Sequence, residues 1–211
     1  MISKTYVINT NGRPDRLRNM TERFIKLGLC ESVKEFIEKY RFKAIEGGSI
    51  EKSKLNLSAN PIKKLNNGEI GCYLSHIQIY REIIKNGYKN TLILEDDADI
   101  KPGWDENMTL PEGYDMIYLG RLNYDTGNPS EKIGLIQEVC PGFWESTRNW
   151  LTHAYIISLD GAVKLLKELT ERPIRSCLDN EIAIIQDECN FSCYAYHPAR
   201  IKQDKTKSSL R

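Results

Sequence analysis

The segment Thr91–Asp99 constrains the fold more than any other part of the chain. A run without polar alternation, Thr91-Leu92-Ile93-Leu94, leads directly into the acidic cluster Glu95-Asp96-Asp97-Ala98-Asp99. Runs of this kind are typical of parallel strands that are covered on both faces. Ligands of open α/β sheets bind outside the carboxyl ends of such strands. The segment therefore predicts a buried strand with a polar site at its end.

Strand and helix patterns alternate along the rest of the chain, which predicts an α/β domain built on a mainly parallel sheet. We expect a single domain, 1–211, because a chain of 211 residues suits one core. Two segments, 123–132 and 202–211, are expected to be loops. Further strands are predicted at Lys4–Asn9, Met116–Leu119, Ala154–Ser158 and Phe191–Tyr196, and helices from Pro14, from Gly68 to Gly87, at Asp160–Leu169 and at Asp179–Gln186.

Charge and hydropathy exclude several classes of protein. Thirty basic and 29 acidic residues give a net charge of +1, so we expect no nucleic-acid partner. No apolar run approaches the roughly 18 residues of a membrane span, and the first ten residues lack the apolar stretch of a secretory signal. These features predict a cytoplasmic protein without a membrane span. The six cysteines are expected to be reduced, and Cys189, Cys193 and His197 lack an evident fourth ligand for zinc.

The acidic cluster is a candidate metal site. Four carboxylates within five residues repel one another unless a hard divalent cation holds them together. If the cluster is extended, alternation places Glu95, Asp97 and Asp99 on one face and Asp96 on the other. A cation there could neutralise the two phosphates of a nucleotide leaving group. The alternative interpretation is an acidic turn in contact with water.

Two further segments carry candidate binding residues. Arg13 and Arg16 follow the first predicted strand, where they could meet phosphate or ribose. Their alternative is a solvated basic helix start. Ser75 and His76 lie on the second predicted helix, and a helical histidine is more often a hydrogen-bonded structural group than an acid or base.

Five blocks, in this order, resemble glycosyltransferase family 25, which includes lipooligosaccharide galactosyltransferases and procollagen galactosyltransferases. The block around Gly68–His76 resembles the most distinctive motif of the family, and Leu94-Glu95-Asp96-Asp97 resembles its acidic metal motif. The blocks are Tyr6–Asn9 with Arg13–Arg16, Gly68–His76, Leu94–Asp97, Tyr118–Gly120, and Thr152–Ser158 with Gly161-Ala162.

The resemblance implies a GT-A-like fold and an inverting transferase that takes a hexose, galactose or glucose, from a UDP-sugar with Mn²⁺ or Mg²⁺. The acceptor it implies is a hydroxyl of a glycan or glycosylated protein. Glu95 and Asp97 match the metal pair, with Asp99 as a possible addition, and His197 matches a third metal ligand or a phosphate contact. The donor-side matches are Ile8, Asn9, Arg13, Arg16, Ser75 and His76.

The catalytic base is harder to place. Inversion requires a base opposite the leaving nucleotide, and that base cannot also be a metal ligand. In the family an Asp follows a Pro after the tyrosine-containing strand and helix, whereas here Pro173-Ile174 is followed by Arg175. Asp179 can be aligned with that Asp after a shift and is the candidate, with Glu181 as the fallback. A helix N-cap is the alternative role for Asp179.

Two other functions stay open at this point. A non-catalytic nucleotide-sugar-binding module is favoured by Arg175 at the position of the usual Asp. A metal-dependent phosphoesterase would also need clustered carboxylates after a strand, but it predicts a second carboxylate-rich motif, and the sequence has none.

Overall fold

A computed structural model describes residues 1–123 and 134–204. The helices are α1 (Pro14–Lys26), α2 (Val33–Lys39), α3 (Asn67–Asn86), α4 (Leu159–Glu171) and α5 (Leu178–Glu188), with single 3₁₀ turns at Gly47–Ser49 and Lys52–Lys54. The strands are β1 (Lys4–Asn9), β2 (Arg41–Lys43), β3 (Asn90–Glu95), β4 (Ala98–Ile100), β5 (Met116–Tyr118), β6 (Leu122–Asn123), β7 (Leu135–Cys140), β8 (Phe143–Ser146), β9 (Asn149–Trp150), β10 (Ala154–Ser158), β11 (Cys193–Tyr196) and β12 (Ile201–Gln203).

One eight-stranded sheet, in the order β2-β1-β3-β10-β5-β11-β8-β7, organises the described chain. Strands β1, β2, β3, β5, β7 and β11 run in one direction, while β8 and β10 run in the other. The small pairs β4-β12 and β6-β9 lie outside this sheet. The prediction of an α/β domain with a mainly parallel sheet is therefore confirmed.

Helices cover both faces of the sheet and bury Thr91–Leu94 of β3. Ile93 packs in one core cluster with apolar residues of α3, α4 and α5. Leu92 and Leu94 point the other way and pack with residues of α1 and α2. The predicted strand without polar alternation thus owes its composition to burial on both faces.

Local sequence signals fix the start of α1 and both ends of α3. Pro14 occupies the first turn of α1, where a missing N–H costs nothing. Asn66 and Glu69 form a capping box at the start of α3, and Gly87, with φ of 66°, ends that helix in the left-handed conformation. Gly87 was predicted to close the helix, and the structure confirms it.

Several elements differ from the sequence predictions. Lys202 and Gln203 belong to β12, so the predicted loop at 202–211 begins too early; its part at 205–211 lies outside the described residues. The predicted loop at 123–132 also falls outside them, except for Asn123 in β6. The hairpin of β7 and β8 was not predicted, because β7 is an edge strand with mostly exposed side chains.

The six cysteines are all free thiols, as predicted. Of the helices in 1–123 and 134–204, none is both long enough and apolar enough to cross a membrane.

Candidate functional site

Two clefts open at the edge of the sheet where β1 and β3 end. The first cleft encloses about 240 Å³ and is lined by Ile8, Thr10, Arg16, 44–48, Asn67, Gly68, Gly71, Cys72 and Glu95–Asp97. The second cleft encloses about 220 Å³ and is lined by Lys63, Glu69, Cys72, Glu95, Leu151, Thr152, 177–179 and Gln203. Cys72 and Glu95 line both clefts, so the two spaces meet at these side chains.

Close backbone contact between α3 and the segment after β2 shapes the first cleft. A side chain at Gly71 would lie 2.4 Å from the carbonyl oxygen of Ile45, and one at Gly47 would lie 1.9 Å from that of Asn67. Ser75 fixes the same contact, because its hydroxyl accepts a hydrogen bond from Ile45 N at 2.8 Å and donates one to Gly71 O at 2.6 Å. The predicted donor-side residue Ser75 is therefore buried and supports the cleft wall.

The acidic cluster is a turn and not an extended strand. β3 ends at Glu95, Asp96 and Asp97 form the turn, and β4 begins at Ala98. The predicted alternation of faces is wrong here, since the turn brings the carboxylates of Asp96 and Asp97 to the same guanidinium. Arg16 Nη1 lies 2.6 Å from Asp96 Oδ1 and 3.7 Å from Asp97 Oδ2.

Asp96 is held as a structural carboxylate. Its Oδ2 accepts a hydrogen bond from Asn9 Nδ2 at 2.8 Å, while Oδ1 pairs with Arg16. Burial raises the pKa of Asp96, and the bonds from Asn9 and Arg16 counteract part of that rise. Asn9 and Arg16, both predicted to face the donor, thus hold the acidic turn in place; Arg16 and Ile8 also line the first cleft.

The Asp97 carboxylate is only partly compensated, by Arg16 Nη1 at 3.7 Å from its Oδ2. Its Oδ1 is buried and accepts no hydrogen bond within the described chain, and Oδ2 accepts only a long bond of 3.4 Å from Gln203 Nε2. Burial, followed by the negative charge of Glu95, raises the pKa of Asp97 to about 7. A divalent cation would remove this penalty, because it supplies positive charge to a free oxygen ligand. The chemistry of the Asp97 carboxylate therefore suits the predicted cation, while its pairing with Glu95 as ligands stays a prediction, since within 1–123 and 134–204 Asp97 joins no group of three metal-ligand side chains.

Glu95 is held by the opposite wall of the clefts. Its Oε1 accepts a hydrogen bond of 2.7 Å from Thr152 Oγ1 and lies 3.5 Å from His76 Nε2. Burial raises the pKa of Glu95, but His76 and Thr152 outweigh this effect and leave the pKa below its ordinary value. Nδ1 of His76 lies 2.6 Å from the hydroxyl of Tyr155, which fixes the ring orientation. His76 is thus fully buried and contacts Glu95.

Asp179 lies in the first turn of α5 and lines the second cleft. Cys177 is the N-cap residue of that helix, so the alternative interpretation of Asp179 as the N-cap is wrong. The Asp179 side chain is half-buried, and its Oδ1 accepts a bond of 3.0 Å from the adjacent Asn180 N. The described contacts leave this carboxylate facing the space that also contains Glu95.

Glu181 is bound to its surroundings instead. Its Oε1 accepts hydrogen bonds from the backbone N–H groups of Arg175 at 2.7 Å and Ser176 at 2.8 Å. Its Oε2 lies 3.2 Å from Nη2 of Arg175. The side chain is buried, so Glu181 and Arg175 form an internal anchor for the start of α5, and the geometry favours Asp179 over Glu181 as a proton acceptor.

Three other predicted residues, Arg13, Asp99 and His197, line neither cleft. Arg13 pairs with exposed Asp15 at 2.7 Å and lines neither cleft. Asp99 is directed towards Arg23 at 3.7 Å and Lys101 at 2.5 Å.

His197 is half-buried and follows β11; within 1–123 and 134–204 neither it nor Asp99 joins a group of three metal-ligand side chains. Their roles as ligands stay predictions. Among the residues that sequence reasoning did not assign, Thr152 and Cys72 contact Glu95 directly, and both belong to blocks that carry the family resemblance.

Comparisons with known proteins identify the family of the chain. The chain is 32% identical over 184 residues to a glycosyltransferase 25 family member from Aedes aegypti, which covers 79% of this chain and 28% of that protein. It is 28% identical over 174 residues to procollagen galactosyltransferase 2 from Homo sapiens, covering 76% and 27%. A probable inactive glycosyltransferase 25 family member 3 from Rattus norvegicus is 33% identical over 112 residues, covering 49% and 19%.

The chain therefore spans less than a third of the length of these relatives. In structure it is similar to a glycosyltransferase involved in the glycosylation of the major capsid of PBCV-1, with a TM-score of 0.49, 8% identity and coverage of 97% and 95%. The family described as glycosyltransferase family 25 (LPS biosynthesis protein) matches residues 2–182. Because that match extends over most of the sequence, the chain belongs to glycosyltransferase family 25.

Proposed function

We propose that this protein is a metal-dependent inverting transferase that moves a hexose, galactose or glucose, from a UDP-sugar to a hydroxyl of a glycan or glycoprotein. The observation that carries the proposal is the buried Asp97 carboxylate, whose Oδ1 has no hydrogen bond in the described chain and borders the first cleft. Membership of a glycosyltransferase family supports the reaction class. The buried carboxylates of the acidic turn support the dependence on a metal cation.

In this proposal Glu95 and Asp97 bind Mn²⁺ or Mg²⁺. Carboxylate oxygens are preferred ligands of both ions. A bound cation would offset the negative charge of the departing nucleoside diphosphate. Arg16 keeps Asp96 neutralised by its ion pair at 2.6 Å, so that the negative charge available to the cation is concentrated on Glu95 and Asp97.

The first cleft is the proposed nucleotide site. Its wall includes Gly48 and Gly68, where the absence of side chains lets a ligand approach the backbone, while Gly47 and Gly71 allow the close backbone contact that shapes the wall. The first turn of α3 lines the same space, and the amino-terminal end of a helix favours anionic groups. Thr10 and Glu46 add polar side chains that suit the hydroxyls of a nucleoside.

The second cleft is the proposed acceptor site, and Asp179 is its base. The acceptor oxygen forms a bond to the anomeric carbon as the bond from that carbon to the diphosphate oxygen breaks. Asp179 takes the proton of the acceptor hydroxyl, and the electron pair of the broken bond leaves with the nucleotide. Because Glu95 lines both clefts, this arrangement puts the base and the leaving group on different sides of the transferred sugar.

The names of the relatives give two acceptor classes to test. One relative is named a procollagen galactosyltransferase, and the family description mentions lipopolysaccharide biosynthesis. Another relative is named probable inactive, which favours a non-catalytic nucleotide-sugar-binding module as the second candidate. The two candidates differ in turnover and not in binding.

UDP release separates these candidates. The purified chain is incubated with UDP-galactose or UDP-glucose, with and without Mn²⁺, and with glycan and glycopeptide acceptors. The transferase predicts UDP release that requires one donor and the cation, and that Asp97→Asn lowers by at least ~100-fold. Donor binding without UDP release, in calorimetry and across both acceptor classes, supports the binding module and contradicts the transferase.

A further inference from the structure

A second kind of metal-ligand set lies beside the acidic turn. Cys72 Sγ, a His76 ring nitrogen and a Glu95 carboxylate oxygen all lie within 4.8 Å of one another. Sulfur and imidazole are ligands of zinc-class ions, whereas the oxygens of Asp97 suit harder ions such as Mg²⁺. We infer that Cys72, His76 and Glu95 form a site for Zn²⁺ or a similar transition-metal ion, distinct from the hard-cation site at Asp97.

The helix supplies two of the three ligands in a suitable arrangement. Cys72 and His76 are four residues apart on α3, so their side chains share one face of the helix. Glu95, at the end of β3, faces them with Oε1 at 3.9 Å from Sγ and 3.5 Å from Nε2. Tetrahedral zinc places ligand atoms roughly 3.3–3.6 Å apart, given its bond lengths of about 2.0–2.3 Å. The nitrogen and oxygen already meet this spacing, whereas the sulfur, 3.9 Å from Oε1 and within 4.8 Å of the imidazole nitrogen, has to move closer to both.

The histidine is oriented as a ligand. Its Nε2 is buried, and no described residue forms a hydrogen bond to it. Its Nδ1 lies 2.6 Å from Tyr155 Oη, which in turn lies 2.8 Å from Tyr80 Oη. An ion bound here replaces the proton that Nε2 otherwise directs towards Glu95. Nδ1–H then donates to Tyr155, Tyr155 donates to Tyr80, and Nε2 presents a lone pair to the ion. Metal-binding histidines commonly have such an outer partner on the second nitrogen.

The carboxylate and the fourth position complete the site. Thr152 donates a hydrogen bond of 2.7 Å to Glu95 Oε1, and such bonds orient ligating carboxylates. Cys72 and Glu95 line both clefts, which gives an ion access and leaves room for a water as the fourth ligand. Since Glu95 belongs to both ligand sets, a zinc-class ion takes this carboxylate away from the cation at Asp97. Zn²⁺ should therefore inhibit the enzyme, a consequence that rests on the proposed function, whereas metal binding itself does not.

Cobalt spectroscopy tests the site without any activity assay. The purified, reduced and metal-free chain is titrated with Co²⁺, and thiolate-to-cobalt charge-transfer absorption is followed. We expect one equivalent of Co²⁺ to produce this band and Zn²⁺ to remove it. Cys72→Ser should abolish the band. Thr152→Val should weaken Co²⁺ binding by about 10–100-fold, the usual effect of losing an outer-shell partner.

Two control variants separate this site from its surroundings. Cys177→Ser removes a thiol of the second cleft that is outside the ligand set, and should leave the band unchanged. Asp97→Asn removes the proposed hard-cation site and should also leave it unchanged, so failure of the transferase proposal does not affect this result. Thermal unfolding of each variant checks that the fold is kept. The absence of a band in the wild-type chain, or its survival in Cys72→Ser, overturns the inference.

Discussion

Nη1 of Arg16 lies 2.6 Å from Oδ1 of Asp96, and the two side chains are only 4% and 6% exposed. Removing one partner of a buried pair leaves the other charge without compensation, which costs about 3–5 kcal/mol. We therefore expect Arg16→Met to lower the free energy of unfolding by this amount in urea denaturation. Arg13→Met is the matched control, since Arg13 and Asp15 are 28% and 55% exposed and solvent-exposed ion pairs contribute little to stability. Equal losses in the two variants would contradict the structural role of Arg16.

The raised pKa of Asp97 should make the stability of the metal-free chain depend on pH. Its folded pKa of about 7 exceeds its ordinary value of 3.8. Between these values the folded chain keeps a proton that the unfolded chain has lost, so this group lowers the free energy of unfolding as pH rises from about 4 to 7. The effect is on the order of 3 kcal/mol, because each unit of pKa corresponds to about 1.4 kcal/mol.

Urea unfolding in a chelator at pH 5 and pH 8 measures this effect. The side chain of Asp97→Asn cannot ionise. We therefore expect the free energy of unfolding of the variant, relative to that of the wild type, to be higher at pH 8 than at pH 5, by on the order of 3 kcal/mol. Addition of Mn²⁺ at pH 8 should stabilise the wild type and not the variant. Parallel pH profiles of the two proteins would show that the Asp97 pKa is not raised.

Substitutions of Asp179 and Glu181 should have different effects, the first on catalysis and the second on stability. General bases contribute about 10²–10⁴-fold, so Asp179→Asn should lower kcat by this factor while the Kd for the UDP-sugar stays unchanged. Glu181→Gln should instead reduce stability, because Glu181 accepts backbone hydrogen bonds of 2.7 and 2.8 Å and pairs with Arg175. Steady-state kinetics and calorimetric donor binding separate the two. A full kcat in Asp179→Asn would remove it as the base.

A side chain at Gly71 should destabilise the fold at the wall of the first cleft. A Cβ at this position would lie 2.4 Å from Ile45 O and 2.9 Å from Gly47 N, so the backbone would have to move. We expect Gly71→Ala to cost about 1–3 kcal/mol of folding free energy, as overpacking does. At Gly48 the nearest atom, in the Asn67 side chain, is 3.5 Å away, and alanine there should leave the melting temperature nearly unchanged. Equal melting temperatures for the two variants would contradict this description of the cleft.

Local sequence signals predicted the parts of the fold that local forces determine. β1 and β10 have the predicted bounds, and Gly87 ends α3, because apolar patterns and cap residues act within a few positions of the chain. The opposite direction of β10 was not predicted, since strand pairing joins residues that are distant in sequence. The edge strand β7 was missed because exposed side chains do not have to form an apolar pattern.

The candidate site was predicted less completely than the fold. The acidic cluster was located because the residues are consecutive, but the turn at Asp96-Asp97 depends on Arg16 and Asn9, which lie 80 and 87 positions away from Asp96. The contact of Thr152 with Glu95 spans 57 positions. Such partners have no local signal in a single sequence. Ser75 and Glu181 make structural hydrogen bonds within the fold. A sequence motif alone does not distinguish such structural residues from residues that bind a ligand.

The reversed strand β10 determines how the domain comes apart. It lies between β3 and β5, so within the eight-stranded sheet Ala154–Ser158 joins β1, β2 and β3 to β5, β11, β8 and β7, while the β4-β12 pair makes a second connection outside that sheet. Neither half can separate from the other unless this strand loses one of its two ladders. Amide hydrogen exchange in β10 should therefore follow global unfolding, and the first cleft and Asp179 should lose their fixed spatial relationship in the same cooperative event.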